Sequence, residues 1–267
     1  MRQCLLVLLM FLGSWSSCAY AMDFTLCEWV RDSTRSAASK LCLTGEIRAG
    51  DTQRLLELIR SDHVNVYTAS RMVSLDSRGG DVREAMSLAK VLGALYPFVY
   101  VEKSCASSCL LLYLSAAYRV AVHGGRVGMH RPTFESSYLQ GLPVAEAKRE
   151  YAAAETEFHN YVTGNGLPES LYERLMATAS TTVDWLSAAD LRLIGVNPPY
   201  LQEKILASCG TLVPKAEGDI TASAANRFFS CFNNLVDDER LKFVQSVAIP
   251  EEKTLETILE KALKQKQ

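Results

Sequence analysis

The chain changes its hydrophobic period within Met72-Val73-Ser74-Leu75-Asp76-Ser77-Arg78-Gly79-Gly80-Asp81-Val82-Arg83-Glu84-Ala85-Met86-Ser87-Leu88-Ala89-Lys90-Val91-Leu92. Met72 to Leu75 is a short apolar run with strand character, and Gly79-Gly80 closes it with a turn. Val82, Ala85, Met86, Ala89 and Leu92 then recur every three or four residues, the spacing of one helix face. Downstream the alternation repeats. Pro97 stops the helix, Phe98 to Val101 reads as a strand, and Ala106 to Ser115 as a very apolar helix. Arg119 to Val122 and Val127 to His130 read as strands around the Gly124-Gly125 turn. Strands alternating with helices predict an α/β fold with a parallel sheet joined by βαβ crossovers.

Beyond Pro143 the pattern becomes one long helix, with Ala147, Tyr151, Ala154, Phe158 and Tyr161 on a single face and Gly164 and Gly166 at its end. A shorter helix follows from Leu167 to Ala177, and Ser187 caps a turn that runs to Gly195. Pro198-Pro199 is the clearest boundary. The predicted organisation is an export segment over 1–21, an α/β domain over 22–199, and a small disulfide-tied helical extension over 200–267 that ends in a helix from about Glu251.

The export segment rests on Arg2, the apolar run Leu5 to Leu12, and Ala19-Tyr20-Ala21, a small-x-small cleavage site. The mature chain is expected to begin near Met22, in the periplasm or outside the cell. The run is short for a membrane anchor, and no later stretch approaches the ~20 apolar residues of a membrane helix. Cys18 follows Trp15-Ser16-Ser17, which is unlike a lipidation site. A formal net charge of -2 gives no pull toward nucleic acid. Cleavage would leave Cys27, Cys42, Cys105, Cys109, Cys209 and Cys231, an even set in an oxidising compartment, so disulfides are expected. Zinc is the alternative, but only Cys105 and Cys109 lie close, and His63, His123, His130 and His159 are scattered. No metal and no cofactor are expected.

Two segments suggest chemistry. Gly79-Gly80 places unscreened backbone amides between a strand and a helix, where they can bind an oxyanion. A tight turn is the bland reading. Cys105-Ala106-Ser107-Ser108-Cys109 lies at a strand-to-helix junction, where a serine hydroxyl can act as nucleophile or merely as a helix cap. Among bases, His63 falls in a polar linker, His123 beside a turn, and His159 on the long helix. His130 ends a strand before Arg131-Pro132, where a side chain faces a cleft.

In order and spacing these segments resemble the Clp-type serine proteases of the Clp/crotonase superfamily, over roughly Leu43 to Val196. That family carries Ser-Pro-Gly-Gly, Ala-Ala-Ser-Met and Met-Ile-His-Gln-Pro; this chain has Ser77-Arg78-Gly79-Gly80, Ala106-Ser107-Ser108-Cys109 and Gly128-Met129-His130-Arg131-Pro132. The pattern Cys-Ala-Ser-x-Cys also looks like an exported Clp-like group. The resemblance implies a superhelical βαβ core and acyl transfer. Matching the end of the helix, Ser115-Ala116, to the family's Ala-Gly makes Ser107 the nucleophile, whereas a direct match of Ala-Ala-Ser selects Ser108. His130 would be the base, and amides of Gly79, Gly80 and Ser108 would form the oxyanion hole.

The family's Asp falls on Val183 by strict count, one place before Asp184. A one-residue slip restores Asp184; otherwise a water or a backbone carbonyl orients His130. Arg78 stands where the family has Pro, which bears on the substrate cleft. Export removes an ATP-driven unfoldase, so the expected substrates are short or unfolded peptides, and a homo-oligomer is compatible with the resemblance. The alternative is an inactive module of the same fold that binds a peptide or protein without cutting it. A crotonase-like thioester enzyme is disfavoured by export, since coenzyme A is cytoplasmic. The four-residue separation of Cys105 and Cys109 permits a disulfide bracketing Ser107, with two buried thiols as the bland alternative. Cys27 with Cys42 and Cys209 with Cys231 are then the remaining pairs by proximity, although six cysteines can pair in more ways than sequence can choose among.

Overall fold

The computed structural model describes residues 21–30, 37–122, 124–133, 139–210 and 222–248. The expected export segment up to Tyr20, His123, and the expected helix from Glu251 lie outside the described residues. In chain order the elements are β1 (Asp23–Val30), β2 (Ala37–Ile47), α1 (Asp51–Ser61), α2 (His63–Ala69), β3 (Met72–Gly80), α3 (Val82–Ala94), β4 (Phe98–Ala106), α4 (Cys109–Ser115), β5 (Tyr118–Ala121) and β6 (Arg126–Met129). They continue with α5 (Val144–Gly164), α6 (Glu169–Ala177), β7 (Asp184–Trp185), α7 (Ala188–Ile194), α8 (Pro199–Cys209) and α9 (Ala222–Ala248).

The chain is a mixed α/β fold with a mostly parallel sheet ordered β1-β2-β3-β4-β6-β7, and β5 pairs with the first half of β4. Pairings from β2 through β6 are parallel, while β1 and β7 run antiparallel at the two edges. The parallel sheet with βαβ crossovers is thus present at the centre, with antiparallel strands added at its edges. Only residues 31–36 join β1 to β2, too few for the crossover that a parallel neighbour needs.

Central strands of a parallel sheet are covered on both faces, and Val73, Leu75, Val99 and Val101 are fully buried. Val82, Ala85, Met86, Ala89 and Leu92 are buried along α3, the face that their spacing predicts. Asp81 caps this helix by accepting from the Glu84 amide at 2.9 Å. Every residue of α4 is buried.

Three local expectations are corrected. β3 continues through Gly79-Gly80, so the glycines end a strand in register with Glu46 and Ile47 rather than forming a tight turn. β4 extends to Ala106, which pairs with Gly128, so the helix begins at Cys109 rather than Ala106. His63 opens α2 instead of lying in a linker.

The C-terminal helices dock on this core. Phe243, Val244 and Val247 of α9 join the main cluster. Phe228, Phe232 and Val236 form a second cluster with Leu201 and Ile205 of α8 and with Tyr96. Arg240 is fully buried, and its guanidinium donates to the carbonyls of Leu95 at 2.7 Å and Tyr96 at 3.0 Å and pairs with Asp237. Asp237 also takes Arg71 at 2.7 Å. Arg119, likewise buried, donates to the carbonyls of Leu114, Ile194, Gly195 and Asn197. Burial lowers both guanidinium pKa values to about 10.

The six cysteines meet in three pairs. Cys27 and Cys42 join β1 to β2, Cys105 and Cys109 bracket the β4–α4 junction, and Cys209 and Cys231 join α8 to α9. Their Cα separations are 6.0, 5.3 and 5.6 Å, within the range a disulfide accepts.

Candidate active site

Ser107 sits between the end of β4 and the start of α4 with φ +59°, a left-handed conformation uncommon for a side chain of its kind. Its amide donates to the Gly128 carbonyl of β6 at 3.1 Å, and its carbonyl accepts from Leu110 at 3.0 Å. Ser107 is half-buried while its neighbours Ala106 and Ser108 are buried.

Ser107, Ser108 and His130 line one cleft, walled by Val82 of α3, Leu110 and Leu111 of α4, Pro132, Phe158 of α5 and Leu175 of α6. Its free volume is about 10 Å³, room for about one water. The structure brings these three candidate residues together, and the two serines differ. The Ser108 hydroxyl is spent on the Gly80 carbonyl at 3.0 Å, whereas among the described residues the Ser107 hydroxyl has no hydrogen-bond partner.

His130 follows β6, and its Nδ1 lies 2.9 Å from the Arg131 carbonyl. A carbonyl only accepts, so this contact requires a proton on Nδ1, and in the neutral imidazole Nε2 is then the acceptor. That is the tautomer a general base needs. Among the described residues no hydrogen bond joins His130 to Ser107.

Asp184 pairs with Met129, beside His130, but among the described residues no hydrogen bond joins its carboxylate to the His130 ring. Its carboxylate accepts from Arg174 Nε at 2.7 Å. Arg174 also forks onto Asp190 at 3.0 and 2.9 Å, and Asp190 forms a capping box with Ser187 at the start of α7. Arg174 and the Ser187 bonds hold the Asp190 carboxyl well below the usual carboxylate range. The partner of Nδ1 is thus a backbone carbonyl, the alternative weighed beside the one-residue slip. Sequence reasoning missed Arg174, whose claim on both acids has no local motif.

The oxyanion candidates also divide. Among the described residues the Ser108 amide has no hydrogen-bond partner, consistent with an available donor. The Gly79 amide, expected to be unscreened, donates to Ser77 Oγ at 3.1 Å, because the hydroxyl of the serine two residues upstream in β3 accepts from it. Gly80 contributes its carbonyl to Ser108, and a β-carbon on it would lie 2.0 Å from the Ile47 carbonyl oxygen. Arg78 bonds Glu46 at 3.0 Å and does not line the cleft. His159 pairs with Glu169 of α6 at 3.0 Å.

Among the described residues there is no cluster of ligating side chains suited to a metal ion, and no helix is long and apolar enough to cross a membrane.

No protein-family model matches the sequence, and no curated protein sequence is similar to it. Solved structures with a similar arrangement include the ClpP1 N165D mutant from Listeria monocytogenes, at TM-score 0.41 and 17% identity over 57% of this chain and 84% of that one. An enoyl-CoA hydratase from Polaromonas sp. JS666 is similar at TM-score 0.40 and 14% identity, over 92% of this chain and 90% of that one. An enoyl-CoA hydratase from Bacillus halodurans gives TM-score 0.36 and 13% identity, over 90% and 98%. The likeness is one of fold alone and extends to no activity.

Proposed function

We propose that the protein is an exported serine hydrolase acting on short or unfolded peptides, with Ser107 as nucleophile and His130 as base. The observation that carries this reading is the left-handed turn at Ser107 in the cleft that His130 also lines, with no hydrogen-bond partner for the Ser107 hydroxyl among the described residues. Nε2 of His130 takes the hydroxyl proton as Oγ attacks the carbonyl. The Ser108 amide receives the developing oxyanion, joined by the Gly79 amide once the Ser77 hydroxyl turns away. The leaving group takes the proton back from His130, and water, activated in the same way, releases the acyl group. Substrate entry requires the cleft walls to part, because the present opening holds about one water.

A nitrophenyl ester assay tests this reading. The hydrolase predicts a burst of about one nitrophenol per chain that disappears in Ser107→Ala. The engaged Gly79 amide favours a second reading, a binding module that holds an extended peptide uncut; this predicts no burst and an unchanged peptide affinity in Ser107→Ala.

A further inference from the structure

We infer that the Cys105–Cys109 disulfide gates the Ser107 site: the turn at Ser107 holds its reactive geometry only once these cysteines are oxidised to each other, so the chain folds inactive as a dithiol and active in an oxidising compartment. This deepens the reading of Ser107 as nucleophile and rests on it.

Single hydrogen bonds from the Ser107 amide to the Gly128 carbonyl and from the Ser108 hydroxyl to the Gly80 carbonyl tie the junction to its neighbours, and a covalent tie adds to them. A serine in the left-handed region is strained and persists only where its surroundings over-determine it. The helix that follows cannot supply the restraint, because α4 has only seven residues and its N-cap Ser108 makes no side-chain cap bond. That hydroxyl is bonded to the Gly80 carbonyl instead. By contrast, Asp81 caps α3 and Ser187 caps α7. The bridge occupies this gap. It joins the penultimate residue of β4 to the first residue of α4, with Ser107 midway between them.

A purely stabilising role would look different. In the chain-entropy description, stabilisation grows with the closed loop, and this bridge spans a separation of 4 against 15 and 22 for the other two. Its effect is therefore local. Both cysteines are fully buried, so a small thiol reaches them only when the junction opens, and the bridge is set during folding. In that step Cys105 and Cys109 lose two thiol protons and two electrons to a small-molecule or protein disulfide. The partner's S–S bond breaks, its two sulfurs leave as thiols, and one S–S bond forms in this chain.

The test compares the oxidised parent with Cys105→Ala/Cys109→Ala, Cys27→Ala/Cys42→Ala and Cys209→Ala/Cys231→Ala by fluorophosphonate labelling rate and unfolding temperature. Loss of the 105–109 bridge is expected to lower the unfolding temperature least and the labelling rate most, by about 10²-fold, the scale of a reacting group displaced by about 1 Å. Equal labelling in Cys105→Ala/Cys109→Ala and the parent overturns the gate. If that variant does not fold, Cys109→Ala gives the same comparison, because Cys105 alone cannot close the bridge and the other two bridges stay intact. Hydrogen exchange at the Leu110 amide, bonded to the Ser107 carbonyl, separates the two claims. In a parent that takes no label, faster exchange without the bridge keeps the gate while the hydrolase fails, and equal exchange overturns the gate.

Discussion

Gly79 and Ser107 meet so closely that a β-carbon on the glycine would lie 2.7 Å from the Cβ of the serine. The same β-carbon would stand 2.6 Å from the Ala106 carbonyl oxygen and 2.9 Å from the Ser108 amide. The end of β3 is thus a mould for the β4–α4 turn. Because Gly79 also has φ +91°, alanine there meets both a clash and a strained backbone. Gly79→Ala is expected to cost more than the roughly 1–2 kcal/mol of the left-handed conformation alone and to lower ester turnover by about 10²-fold. Gly124→Ala is the control: it has φ +84° but nothing within 4 Å, so it should lose stability without losing turnover. Equal turnover losses would contradict the mould.

The two serines should separate in assays. Ser107→Ala is expected to reduce hydrolysis to background with the unfolding temperature preserved. Ser108→Ala removes a hydroxyl bonded to the Gly80 carbonyl, costing about 1 kcal/mol of stability, and leaves its amide in place. Its turnover should stay within a few fold, and the reverse ranking would move the nucleophile to Ser108.

Asp184 provides a third comparison. With its carboxylate on Arg174 and the Arg131 carbonyl on His130, Asp184→Asn should change turnover only a few fold. His130→Ala should abolish it with the fold intact. A loss of about 10⁴ in Asp184→Asn, the scale seen when a histidine loses the carboxylate that sets its tautomer, would return Asp184 to the mechanism.

Asp190 makes stability depend on pH. Its carboxyl is held low by Arg174 and Ser187, so its contribution is complete above the unfolded value of about 3.9 and is lost as pH falls toward the folded one. The parent should lose more stability than Asp190→Asn between about pH 5 and pH 2 by thermal unfolding. Parallel curves would show that the Arg174 fork adds nothing.

The sequence made the central βαβ unit legible because α3 and the buried strands follow simple periods. That Ser107 and His130 line one cleft was legible through motif order. The antiparallel edges were not, since a two-residue strand such as β7 has no period of its own. The engaged Gly79 amide turns on a local serine, and the fate of Asp184 turns on Arg174, ten residues away in sequence and on another element. Neither a count from a motif nor a hydrophobic pattern sees an ion pair formed between elements.

The most direct measurement is fluorophosphonate labelling of the oxidised protein followed by peptide mass mapping. The hydrolase predicts a single phosphonyl adduct on Ser107 that disappears in His130→Ala. An adduct on Ser108, or a folded protein that takes none, contradicts it.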